Sequence, residues 1–147
     1  MKFKYARNEF PKAKEITWAD VIASINIDFQ LGCKEAKYHD DHPPTFVLYN
    51  GVFPGTIGPA VEEVREKAGG TAMHTFLSLG SGAPSYGDHK DTMDVLLVQA
   101  IGTTGYKINQ DQTFWLEPGD ALWIPAGVWH DPQIIGPRVT MSFDFDH

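Results

Sequence analysis

A single cysteine, Cys33, stands in the 147 residues of this chain, so no disulfide can form within it and packing must hold the fold. A lone thiol is ordinary in a reducing compartment. Basic residues are scarce too: 12 lysines and arginines face 19 aspartates and glutamates, for a net charge of −7. That field repels phosphate backbones and anionic lipid, which argues against nucleic acid or a membrane as partner. No segment approaches the ~20 apolar residues of a membrane-spanning helix, and residues 1–18 carry charges where a signal peptide would be apolar. The expectation is a soluble, cytoplasmic protein. Repeats, low-complexity stretches and linkers are also missing, so residues 1–147 are expected to form a single domain.

What is present is core material. Hydrophobic residues make up 42% and aromatics 12% of the chain. A chain of this length buries roughly 70% of the surface its unfolded form exposes, so it needs no staple. Thr17 and Asp20 fit a capping box, and Trp18, Val21, Ile22 and Ile25 follow at the spacing of one helical face. A second helix is expected over residues 59–68, with Pro59 in its first turn and Gly69-Gly70 as its stop. Everything else reads as strand. Residues 34–40 suit a polar edge strand, and residues 45–50 a better one that ends at the Asn50-Gly51 turn pair. Residues 73–79, 94–101, 104–109, 113–117, 121–124 and 139–145 follow with turn residues between them. Short strands in such number argue a mainly β, jelly-roll or cupin-like double sheet with two short helices in its N-terminal half.

Two stretches carry chemistry. Residues 116–130 form a turn, a short apolar strand, a second turn and a histidine. Pro118 and Gly119 supply the dihedrals of a tight turn, and Asp120 can bond backbone N–H groups beside it. Pro125 stops the strand and Gly127 lets the backbone turn, so His130 arrives where the chain re-enters the sheet. In the other stretch, His89-Lys90-Asp91, side chains alternate along extended backbone, so His89 and Asp91 share a face and Lys90 points away. His89, Asp91 and His130 together are two histidines and a carboxylate, the set that holds non-haem Fe(II) on one face and leaves positions open.

A bland reading stands beside each of these. His39-Asp40-Asp41 repeats the His-x-Asp spacing, but it lies among His42, Pro43 and Pro44 and reads as a solvated loop. His74, inside an apolar strand, reads as a satisfied core histidine, and His147 as a terminal residue with no site role. The alternative for His89, Asp91 and His130 is a hydrogen-bonded group without metal. If all three face the interior, an unpaired carboxylate there costs several kcal/mol, and a cation removes that cost. The last strand alternates cleanly: Val139, Met141, Phe143 and Phe145 on one face, Arg138, Thr140, Ser142 and Asp144 on the other. The polar face either meets solvent or lines a pocket at the barrel mouth, with Arg138 placed to grip a carboxylate.

The run from His89-Lys90-Asp91 through residues 94–99 to Gly102, with residues 118–130, resembles the JmjC and cupin-like Fe(II)/2-oxoglutarate oxygenases, above all their bacterial ribosomal-protein hydroxylase branch. The likeness covers residues 73–145, about half the chain. It implies a double-stranded β-helix, with His89, Asp91 and His130 as both the metal ligands and the catalytic residues, Fe(II) as the metal and 2-oxoglutarate as co-substrate. In that family 2-oxoglutarate is decarboxylated to succinate as O₂ is used to hydroxylate a C–H bond.

One position departs from the family. A lysine or arginine shortly after the glycine usually pairs with the far carboxylate of 2-oxoglutarate, and Thr104 stands there instead. Lys107 should point to the opposite face. Arg138 is the substitute, because other 2-oxoglutarate oxygenases use an arginine on the strand after the last histidine, and Arg138-x-Thr140 resembles their Arg-x-Ser pairing. Arg138, Thr104 and Thr140 are therefore the expected co-substrate residues. Family members that hydroxylate proteins carry further regions, so the substrate expected here is a small molecule, or a protein side chain presented by a partner; homodimerisation stays open. Two alternatives stand: a metal-dependent cupin enzyme that does not use 2-oxoglutarate, which Thr104 favours, and a non-enzymatic ligand-binding module on the same fold.

Overall fold

Residues 94–101 and 121–124 form strands with the expected bounds, and they lie side by side near the centre of a large antiparallel sheet. The computed structural model describes residues 1–33 and 35–145; Lys34 and His147, both named above, lie outside the described residues. In chain order the strands are β1 (Lys4–Ala6), β2 (Glu35–Lys37), β3 (Thr45–Leu48), β4 (Met73–Ser78), β5 (Asp94–Ile101), β6 (Thr104–Ile108), β7 (Gln112–Leu116), β8 (Ala121–Ile124), β9 (His130–Ile134) and β10 (Arg138–Phe145). Helix α1 spans Trp18–Leu31 and α2 Ile57–Lys67, with a 3-10 turn at Pro11–Glu15 before them. Seven strands make one sheet in the order β1-β8-β5-β10-β4-β3-β2, and β7-β6-β9 make the other. This is a mainly β, double-stranded β-helix.

Each face of the large sheet has its own core. On the outer face Leu77, Leu96, Val98, Met141 and Phe143 pack against Val21, Ile57, Val61 and Val64 of the helices and Phe10 beside the 3-10 turn. Between the sheets Val95, Leu97, Leu122 and Ile124 meet Tyr106, Ile108 and Leu116. Fully burying a side chain of this size contributes about 1.5–3 kcal/mol, so both layers matter to stability. No helix among the described residues is long and apolar enough to cross a membrane.

Two expectations are corrected, and of two open readings of β10 one is removed. Helix α1 is capped as expected, Thr17 Oγ1 accepting from the Asp20 N–H at 3.2 Å. Its buried face, however, runs through Val21, Ser24 and Asp28, and Ile22 is 59% exposed. The reason is polar: Asn50 donates to Asp28 and to the Ser24 carbonyl, pulling those residues inward. His74 is not a core histidine. Its strand sends Met73, Thr75 and Leu77 toward the helices, which leaves His74 half-buried on the other face, 3.8 Å from Asp144. The polar face of β10 does not meet solvent at Arg138, Thr140 or Ser142, all of which are buried.

Candidate metal centre and its cavity

Two turns of the same kind deliver His130. Asp120 N donates to Glu117 O at 2.9 Å and Val128 N to Pro125 O at 3.2 Å, closing four-residue turns whose third residues are Gly119 and Gly127. Their φ values, +92° and +82°, are what a type II turn requires at that position, and glycine takes them without a Cβ penalty. Asp120 locks the first turn by accepting from Asn8 N and Glu117 N. The second is pinned to the start of β5, where Ala126 N donates to Asp94 Oδ1 at 2.7 Å and Gly127 N to Asp91 O at 3.0 Å. The chain then pairs with residue 89: His89 and His130 exchange both backbone hydrogen bonds.

That pairing assembles the expected set. One ligand atom from each of His89, Asp91 and His130 lies within 4.8 Å of the others. Nε2 of His130 is 3.3 Å and Nε2 of His89 3.8 Å from the Asp91 carboxylate. Each ring turns its Nδ1 to a backbone carbonyl two residues back, His89 to Gly87 at 2.8 Å and His130 to Val128 at 3.0 Å. A carbonyl can only accept, so both Nδ1 atoms carry protons, and each Nε2 faces the carboxylate, where it can donate when it too is protonated or offer its lone pair to a metal. Such outer contacts fix the tautomer that a metal-bound imidazole needs. The donor set therefore fits a divalent transition metal. The hydrogen bond with His130, aided by the charges of both imidazoles, holds the Asp91 carboxyl below the usual carboxylate range despite partial burial. Lys90 points away, over the Trp129 ring.

The three residues open onto a cavity also lined by Phe76, Val95, Leu97, Tyr106 and Arg138, with Ser85 and Tyr86 from the glycine-rich loop. Asp91 precedes the first residue of β5, whereas Arg138 adjoins Val139, the partner of Ile101 at its other end. Arg138 is only 2% exposed. Its Nε donates to Ser78 Oγ at 3.0 Å, and its Nη1 to Thr140 Oγ1 at 3.0 Å and the Tyr106 hydroxyl at 3.5 Å. Among the described residues no carboxylate pairs with it. Burial pushes its pKa down, with Tyr106 acting the other way.

Thr140 and Thr104 sit one layer behind. Both are fully buried, and neither lines the cavity. Thr140 donates to Gln99 Oε1 at 2.8 Å, and Thr104 Oγ1 accepts from Gln99 Nε2 at 3.1 Å. Tyr106, not Thr104, is the β6 residue that reaches the cavity, and Lys107 is absent from its lining. His39, Asp40 and Asp41 are exposed and take no part. Sequence reading missed Tyr106, Thr45, Ser78 and Gln99; the alternation of β6 could have found the first, since residues 104, 106 and 108 share a face.

A model of the JmjC domain family matches residues 106–147. No curated protein matches the chain. Among solved structures, the ribosomal oxygenase YcfD of Escherichia coli is similar over 76% of this chain, at 20% identity and a TM-score of 0.60. YcfD in complex with cobalt and 2-oxoglutarate is similar over 75%, at 19% identity and a TM-score of 0.60. The chain spans about a third of the length of those oxygenase chains, 33% and 34%. The likeness read from the sequence is thus matched by a family model, and the expected fold by known structures.

Proposed function

We propose that this chain is the metal-binding barrel of an Fe(II)- and 2-oxoglutarate-dependent oxygenase that hydroxylates a C–H bond of a small molecule or a protein side chain. One observation carries the reading: a single cavity joins a three-ligand set to a buried arginine that has no carboxylate partner among the described residues. The fold shared with an oxygenase solved with cobalt and 2-oxoglutarate supports it. When bound, the metal and co-substrate would supply an oxidant from O₂ as 2-oxoglutarate is decarboxylated to succinate.

The chain's own residues would do the rest. His89, Asp91 and His130 would hold the metal from one face, which leaves its other positions for co-substrate and oxygen. Asp91 supplies the negative charge, and the Gly87 and Val128 carbonyls keep both imidazoles aimed. Arg138 would grip the far carboxylate of 2-oxoglutarate, a charge-assisted contact of about 1.5–3 kcal/mol, with Thr140 behind it. Val95, Leu97 and Phe76 give the space between an apolar wall. Thr104, which favoured a cupin reaction without 2-oxoglutarate, lies off the cavity wall, so the residue at 104 does not weigh for that alternative.

Anaerobic titration of metal-free protein with Fe(II) and then 2-oxoglutarate tests the reading. The expected result is the weak visible charge-transfer band of iron-bound 2-oxoglutarate, lost in His89→Ala and Asp91→Ala, and succinate formation once O₂ is admitted. Metal uptake with neither band nor succinate would overturn it.

A further inference from the structure

Among the described residues the side-chain partners of the Arg138 guanidinium are all hydroxyls: Ser78, Thr140 and Tyr106. A hydroxyl can turn either its proton or its lone pairs toward a cation, and only the lone pairs hold it. What decides is the acceptor on the hydroxyl's far side. For Thr140 that acceptor is Gln99: the Thr140 proton goes to Gln99 Oε1 at 2.8 Å, which leaves a lone pair for Arg138 Nη1 at 3.0 Å.

Gln99 itself has no freedom to flip. Its Nε2 lies 3.0 Å from Ile101 O, 3.0 Å from Gly102 O and 3.1 Å from Thr104 Oγ1. Backbone carbonyls cannot donate, so the NH₂ end must face them and Oε1 must face Thr140. A β-bulge brings the pair together. The register of β10 on β5 steps from Val139↔Ile101 to Thr140↔Gln99, passing over Ala100. Bulges re-aim side chains in this way. Gln99, Thr104 and Thr140 are each 0% exposed, so water cannot substitute for any of these contacts. The Nε side is built alike: Thr45 gives its proton to Pro84 O at 2.6 Å, so Ser78 donates to Thr45 and accepts from Arg138.

We infer that Gln99 is a positioning residue for carboxylate binding: through Thr140 it fixes the direction in which the Arg138 guanidinium faces the cavity. Thr104 then acts on the cation through Gln99, without touching a ligand. This rests on the reading of Arg138 as the group that grips 2-oxoglutarate.

The test uses the full chain in two arms. In the first, the Arg138 Nη1–H resonance, on the nitrogen that Thr140 holds, is followed by NMR in metal-free protein, assigned by its loss in Arg138→Ala. Wild type should give a sharp, slowly exchanging signal, and Gln99→Leu a broadened one. In the second, Mn(II)-loaded protein is titrated with 2-oxoglutarate. Gln99→Leu should raise Kd about five- to tenfold, the loss of one buried hydrogen bond's worth of orientation, while Mn(II) affinity stays within about twofold. Thr140→Val should behave the same way and decides the matter if Gln99→Leu does not fold. An unchanged resonance, or Mn(II) affinity falling as far as 2-oxoglutarate affinity, would overturn the role. Wild type that binds Mn(II) but not 2-oxoglutarate would overturn the co-substrate reading instead, and the first arm still decides for Gln99.

Discussion

His89 and His130 exchange backbone hydrogen bonds of 3.0 and 2.8 Å, and their ring centroids lie 4.2 Å apart. The two imidazoles are thus cross-strand neighbours held by main chain. A metal that binds only the folded protein stabilises it by about 2.7 kcal/mol at a hundredfold excess over Kd. Thermal unfolding with Mn(II) in place of Fe(II) should show this as a rise of several degrees in Tm. His130→Ala should abolish the rise while leaving the metal-free protein folded. A rise of equal size in the variant would place the metal elsewhere.

Asp91 sets a pH dependence. Its carboxyl lies below the usual carboxylate range chiefly through the hydrogen bond with His130. A folded-state value below the unfolded one means that the ionised carboxylate favours folding above about pH 4, and that this contribution is lost as pH falls through the folded value. Asp91 is more than a third exposed, so the contribution is small. Metal-free Asp91→Asn should therefore unfold at a slightly lower urea concentration than wild type at neutral pH, and the gap should narrow as pH falls below the usual carboxylate range. A gap that stays constant over that range would show that the hydrogen bond does not govern the carboxyl.

The clustering of His89, Asp91 and His130 was legible in the sequence because local rules place it. Alternation puts His89 and Asp91 on one face, and two glycine turns with positive φ deliver His130. Strand β5 was bounded correctly because Asp94 and Gly102 bracket an apolar run. What local rules miss is decided across the fold. Ile22 was placed on the buried face of α1 because periodicity counts apolar residues, whereas Ser24 and Asp28 go inside to meet Asn50, a residue beyond the helix. Strands β1 and β9 escaped notice because one is three residues long and the other carries Pro132. Family pattern placed Thr104 at the ligand; two residues further on, Tyr106 occupies the wall.

Position 104 can therefore be tested directly. If a basic residue there could reach 2-oxoglutarate, Thr104→Lys would tighten co-substrate binding. The structure says otherwise: Thr104 is fully buried against Gln99, and Gln99 leads through Thr140 to a guanidinium. A second buried cation would meet both desolvation and like charge, at a cost of several kcal/mol. Thr104→Lys should lower Tm by 10 °C or more, an order-of-magnitude expectation from that cost, with no gain in 2-oxoglutarate affinity. A tighter complex without loss of stability would put the position 104 side chain in the cavity.

Arg138 gives the sharpest separation of function from stability. Its positive charge is held away from water with hydroxyls and, among the described residues, no carboxylate, and burial lowers its pKa. For a base, a folded value below the unfolded one means that charge opposes folding at every pH where the group is protonated, which for arginine is the whole accessible range. A bound carboxylate relieves that cost; a neutral side chain of similar length removes it. Arg138→Met should leave Tm unchanged or raise it by a few degrees, because replacing buried charge with apolar volume is commonly neutral to stabilising. The same change should raise the 2-oxoglutarate requirement at least about tenfold, the loss of one charge-assisted pair. Metal uptake should not change. A drop in Tm of more than about 5 °C would show that the arginine holds the barrel together, and an unchanged 2-oxoglutarate requirement would remove it from the co-substrate site.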